Sequence, residues 1–537
     1  MSPRRFLRNR RSSRRSAALP LLLGSLGLGL ASAEDPPPAP QAEHPLLLSL
    51  ADALAIAVQN NLELEIEGIA TEIAQLDALG SWGAFDPTLS VQGSITDQER
   101  PATSDFSGAD VLEENTQALN TSLVFPFRTG GNVSLAWDRS NYQTNNRFAS
   151  FDTSTTDTVT AMVTQPLLRG AWERFATTTQ REAESVLRRQ VEREREVRNK
   201  LLRGVYDAYW NLVSAREELG VREIALGLGE RWLEQETRKL EVGTGTEIDV
   251  LQAETNVAQQ KELRIQAEFD RRAAEDALRR LLFQKPAGDV EAFLADWDGT
   301  IEPITLLPEV DATSVGGLEW RRALEAAIAN RPELAQSRLD VDAAEIHLER
   351  SRSDRRPQLD LELRATGVGF DTDPADAFQS AGSFEFPEYA GSLVFSLPLR
   401  NRTARNAERA ARAAVRNARL AYDVLELDIL AEVRGAVRDV RYRSESVTAA
   451  KTSLALARRQ LEAEEARFRH GVSTTYQVLE FQKDLAEALS NEQAARAAYA
   501  KALAALRHAE GGLAGPPRSM AAGGAGGETT RAGQGGE

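Results

Sequence analysis

Apolar residues recur at helical spacing through two long windows that contain no proline, Leu167 to Lys285 and Leu399 to Gly515. Leu201, Val205, Tyr209 and Leu212 keep i, i+4, i+8, i+11 spacing, and Val433, Val437 and Val440 repeat it in the second window. The background is Ala, Leu, Glu, Arg and Gln, which hold helices at little cost, and no proline interrupts the ladder. Charge runs such as Glu192 to Lys200 read as a solvated face with i, i+4 pairs. The pattern predicts one long helix over roughly Trp172 to Val242, ~105 Å at 1.5 Å per residue. Shorter helices over Ala51–Ala84 and Thr246–Phe283 hold nearly the same number of residues, so stacked end to end they match its length. Such a unit is a rod.

Alternation with period 2 replaces the helical pattern ahead of each window. Leu359, Leu361 and Leu363 point one way while Asp360, Glu362 and Arg364 point the other. Leu89 and Val91 alternate with Ser90, Gln92 and Ser94; Leu119, Leu123, Phe125 and Phe127 mark a second strand of the first half; Val133, Leu135 and Trp137 mark a third; Val159, Ala161 and Val163 mark a fourth. Leu393, Phe395 and Leu397 lead to Pro398 in the second half. A tight turn follows Phe127, whereas the polar stretches Thr96 to Glu114 and Asn141 to Asp157 read as long loops. Aromatic residues, Trp137, Tyr142, Phe384, Phe386 and Tyr389, sit near strand ends. Short turns at one end and long polar loops at the other suit a membrane β-barrel, with a soluble sandwich as the alternative. Four strands plus two are too few for a barrel of about eight, and an open edge in lipid leaves backbone groups unpaired, so several chains must share one barrel.

The chain is written twice. DALAIAVQNNLEL at Asp52–Leu64 returns as RALEAAIANRPEL at Arg322–Leu334, 270 residues later, and Pro87 maps to Pro357 by the same spacing. The spacing falls to 232 between Pro166 and Pro398 and to 228 between Gly243 and Gly471, so the first copy holds one extra hairpin. Whether that hairpin joins the barrel stays open at this point. The divisions are 1–33, an export signal; 34–49, a linker; 50–283, the first repeat; 284–317, a linker at the middle of the rod; 318–510, the second repeat; and 511–537, a Gly/Ala-rich tail read as disordered.

Composition narrows the functions. The first fifteen residues carry seven arginines, an apolar run follows, and Ala31-Ser32-Ala33 supplies a cleavage site. Removing those charges moves the net charge from −16 to −23, which disfavours nucleic acid as a partner. There are no cysteines, hence no disulfide, thiol chemistry or lipidated cysteine. His44, His347, His470 and His508 lie far apart, so no metal site is expected; no nucleotide or nucleophile motif appears, and neither a cofactor nor an enzyme activity is expected.

The duplicated helix-strand-helix layout, QPLLRG entering the long helix, and VGTGTEIDVLQAETNVA at its far end resemble the outer-membrane efflux proteins of the TolC type, over Leu50 to about Ala509. The resemblance implies a mainly α chain whose homotrimer joins a shared β-barrel in the outer membrane to a long α-helical barrel across the periplasm. It also implies a periplasmic adaptor and, through it, an inner-membrane transporter, with outer-membrane lipid around the barrel. Gly243 and Gly471 then sit where helices turn back, with Thr246 and Thr474 as caps. The turns Gly243, Thr244, Gly245, Thr246 and Gly471, Val472, Ser473, Thr474 become the adaptor-docking mouth. Family members narrow that mouth with acidic rings; the matching positions here are Gln477 and Glu480, with Asp249 in the other copy. The family's gate-locking tyrosine and arginine are replaced by Phe468 and Ser473, so the gating mechanism stays open. The implied function is a passive trans-periplasmic duct for efflux or secretion. The alternative is a structural coiled-coil protein of the periplasm.

Overall fold

The computed structural model describes residues 45–102, 108–284, 297, 299–310 and 315–513. The export signal and nearly all of the tail lie outside them. In chain order the elements are β1 (Leu46–Leu48), α1 (Leu50–Asn60), α2 (Leu62–Ser81), β2 (Thr88–Pro101), β3 (Val111–Pro126), β4 (Asn132–Thr144), β5 (Thr153–Pro166), α3 (Glu173–Ala176), α4 (Thr178–Glu241) and α5 (Glu247–Leu282). There follow β6 (Ile301–Pro303), α6 (Trp320–Asn330), α7 (Pro332–Asp354), β7 (Gln358–Asp371), α8 (Pro374–Gly382), β8 (Pro387–Ser396), α9 (Arg402–Arg469) and α10 (Thr475–Ala509).

The helices follow the apolar stripes. With 64 and 68 residues, α4 and α9 extend ~96 and ~102 Å. The predicted stripe is the core: Val205, Tyr209, Val433 and Val440 are fully buried, and Leu201, Leu212 and Val437 nearly so. Its partners obey the duplication. Ala53, Ala57, Leu64 and Leu278 pack on α4, while Ala323, Ala327, Leu334 and Leu506 pack on α9. Two breaks were not anticipated. The helix expected over Ala51–Ala84 divides at Asn61, whose extended backbone lets its side chain accept a bond from Leu64 N; the same break falls at Arg331, ahead of Pro332. The long helix expected from Trp172 starts at Thr178, because Trp172 has φ +70° and the short α3 precedes it.

Six strands make one antiparallel sheet in the order β2-β3-β4-β5-β7-β8. The extra hairpin, β3–β4, is continuous with it, thirteen register pairs joining β3 to β4 and twelve joining β4 to β5. Cross-strand pairing places Leu89, Leu123, Leu135, Ala161, Ala365 and Tyr389 in one row, so odd-numbered residues share one face, which is apolar in its part nearer the helices. The strands run well into the stretches read as long loops: pairing continues to Pro101 with Val111 and to Gln143 with Thr153, since polar side chains do not stop a ladder.

Two further elements correct the sequence reading. Leu46–Leu48 and Ile301–Pro303, both within stretches taken as linkers, pair in parallel and pack on α4, where the Tyr209 hydroxyl donates to Leu48 O (3.0 Å) and accepts from Thr305 N (3.0 Å). α8 lies across β7 and β5 on the odd-numbered face. Gly367 and Gly369 make room for it: a Cβ would stand 2.2 Å from Ala381 O and 1.9 Å from Ala377 O respectively.

Candidate functional site: the helix turns far from the sheet

α4 turns into α5, and α9 into α10, through loops with the same backbone logic. Gly243 (φ +76°) and Gly471 (φ +73°) take the left-handed conformation that ends a helix. Thr244 N donates to Lys239 O (2.8 Å) and Val472 N to Arg467 O (3.1 Å), which satisfies carbonyls the helix ends leave open. Thr246 Oγ1 then accepts from Asp249 N (3.2 Å) and Thr474 Oγ1 from Gln477 N (3.4 Å), each capping the returning helix. One position separates the copies. A Cβ at Gly245 would meet Leu240 N at 2.9 Å, whereas its counterpart Ser473 keeps a side chain and donates to the Glu464 carboxylate.

Between the two hairpins Trp232, Ala253, Leu461, Val478 and Leu479 form one apolar cluster, so the turns share an end of the molecule. Phe468 packs on Trp232 with ring centroids 4.8 Å apart, and Lys239 Nζ stands 4.0 Å above the Phe468 ring. Lys239 also reaches Glu236 Oε1 (2.8 Å), as Arg467 reaches Glu464 Oε2 (2.9 Å) in the other copy. Thus Phe468 and Ser473, which stand where the family's gate partners would be, are held inside this chain's own hairpins. A cleft of about 580 Å³ opens beside them, lined by Trp232, Gln235, Lys239, Phe468 and Gln482.

Each carboxylate or amide expected at a constriction is tied within its own hairpin. Asp249 Oδ2 accepts from the Thr246 hydroxyl (2.5 Å), the Gln477 amide lies 2.9 Å from Ser473 Oγ, and Glu480 Oε1 lies 3.6 Å from Lys483 Nζ. Around them Val242, Ile248, Leu251, Val472 and Tyr476 are each more than 60% exposed, an apolar surface that ordinary solvation does not explain. The Trp232–Lys239–Phe468 stack escaped the sequence reading. Its signal was the recurrence of Glu236 and Glu464 at the same 228-residue spacing as the glycines.

The family model "Outer membrane efflux protein" matches residues 85–282 and 323–512. No curated relative matches the sequence. Among solved structures, the chain is similar to the CmeC outer membrane channel of Campylobacter jejuni (15% identity, 86% of this chain and 85% of that one, TM-score 0.60). It is similar to VceC of Vibrio cholerae (17%, 86% and 96%, 0.61) and to a membrane protein of Pseudomonas aeruginosa (18%, 90% and 100%, 0.63). The two matched segments lie one in each repeat, one on either side of the central stretch, and the chain belongs to the outer membrane efflux protein family.

Proposed function

We propose that three copies of this chain form a passive duct through the periplasm and outer membrane, fed by an inner-membrane transporter through a periplasmic adaptor. The observation that carries this reading is the two-tier protomer. An amphipathic sheet on which Leu89, Val91, Leu393 and Phe395 are each more than 60% exposed sits on helices ~100 Å long. Such a face is stable against lipid and unstable against water. The purified protein should come from detergent-solubilised outer membranes and migrate as an oligomer until boiled. Recovery as a water-soluble periplasmic protein would instead favour the structural coiled-coil alternative.

The turns at Gly243–Thr246 and Gly471–Thr474, with the exposed Val242, Ile248, Val472 and Tyr476, are the docking surface for adaptor tips in this reading. Asp249, Gln477 and Glu480 form the constriction behind it. Because Gln477 carries no charge and Lys483 offsets Glu480, the ring selects cations weakly. Glu480→Gln should therefore lower cation preference in planar bilayers by about twofold or less; unchanged ion preference would remove Glu480 from the constriction.

A further inference from the structure

The protomer ends on two free sides, and each side spans both tiers. α2 continues into β2 at one side, and β8 continues into α9 at the other; between them the helical layer runs α2-α4-α7-α9 and the sheet runs β2 to β8. We infer that all six strands, including the extra hairpin, enter the barrel wall, so that three copies joined α2/β2 to β8/α9 close an 18-stranded barrel on a 12-helix tube. This rests on the trimeric duct proposed above and adds the composition of its wall.

The register is what brings six strands into the wall, since the β3–β4 hairpin is paired along its length to both neighbours, and the widths allow it. Six strands spaced ~4.8 Å and tilted ~40° occupy ~38 Å of wall. The four helices beneath, at ~9–10 Å apart, occupy ~36–40 Å. The sheet as built therefore matches its helical layer without taper. An even strand number also makes β8 of one copy run antiparallel to β2 of the next, so both edges close without an unpaired row in lipid.

The helical sides complement each other in shape and charge. On α2, Leu62, Ile66, Ile69, Ile73 and Leu76 form a heptad stripe exposed to 40% or more. On α9, Ala410, Ala413, Asn417, Leu420, Val424 and Leu427 form the matching stripe, with small residues near the sheet and larger ones below. α2 holds five acids and no base, whereas Arg400 to Arg419 holds seven arginines and the single acid Glu408. Sidedness agrees as well. Glu349–Arg181 and Glu345–Arg419 mark one face of the helical layer, and Glu67–Arg193 and Asp340–Arg189 the other. At 100° per residue, Glu72 of α2 and Arg409 and Arg416 of α9 project on the first of these faces. Counting down from the sheet, eight residues below Ser81 and eight beyond Arg402 set Ile73 opposite Ala410 of the neighbouring copy.

Cryo-EM of the detergent-purified, full-length oligomer, with its mass measured in parallel, tests this. The expected map shows 18 strands in a cylinder ~36 Å across the backbone, a bore of porin width. A trimer whose barrel has 12 strands and is ~24 Å across, with β3–β4 outside the wall, overturns the inference and leaves the trimeric reading intact. A mass of one or two copies overturns the trimeric reading itself. Because the chain has no cysteine, Ile73→Cys with Ala410→Cys gives a second readout. A short bismaleimide should convert most of that double variant, and neither single variant, to covalent multimers. The absence of cross-linking in an intact trimer removes the α2–α9 contact.

Discussion

Truncating Tyr209 to alanine should destabilise the protein by about 3–5 kcal/mol, the largest single loss expected in the helical region. Its side chain is fully buried and edge-on to Trp210 at 5.4 Å. Its hydroxyl is a buried polar link between α4 and the short β1–β6 sheet, donating to Leu48 O and accepting from Thr305 N. Phenylalanine separates the two contributions. Tyr209→Phe keeps the packing and strands the Thr305 N donor, while Leu48 O keeps its bond from Ile304 N (3.1 Å), so it should cost about 1–3 kcal/mol. Thermal unfolding in detergent reads both, with the wild-type midpoint highest and alanine lowest. Equal midpoints for the two variants would mean that hydrogen bonding, and not volume, dominates at this site.

Asp157→Ala should be comparably damaging in the sheet, again about 3–5 kcal/mol, because it breaks a buried pair from one side. The carboxylate is fully buried and accepts from Trp137 Nε1 (2.8 Å), Arg139 Nε (3.0 Å) and Arg139 Nη2 (2.8 Å). α8 lids the cluster: Arg139 Nη2 also donates to Pro374 O (2.9 Å), and Phe378 packs edge-on against Trp137 at 5.5 Å. Removing the carboxylate leaves the guanidinium without its ion-pair partner beneath α8, which should release the helix. Limited proteolysis within residues 372–386 should accelerate in Asp157→Ala and much less in Asp157→Asn, which retains one acceptor. Equal protection in all three proteins would show that the two glycines alone hold the helix down.

These two sites divide what was readable in the sequence from what was not. Tyr209 lies on a stripe whose 3.6-residue period marks it as core, yet nothing local says that its hydroxyl meets residues 161 positions before and 96 after it. Asp157 stands in a polar stretch that reads as loop. Its place in a strand follows from pairing with Arg139 and Gly369, and its burial from a helix more than 200 residues away. The pair Gly367 and Gly369 was visible as residues, but their meaning is the close approach of α8.

The sequence by itself determined the duplication, the long helices, the apolar face of each strand and the two glycine turns. All of these are written in local period, in proline placement, or in a positive φ that favours glycine. Only the tertiary structure decided that the extra hairpin continues the sheet, that the supposed linkers contribute a parallel strand pair, and that Phe468 stacks within its own chain. Those outcomes depend on which distant segments pair. Backbone hydrogen bonds and burial settle that choice across hundreds of residues, where a one-dimensional pattern carries no record of the partner.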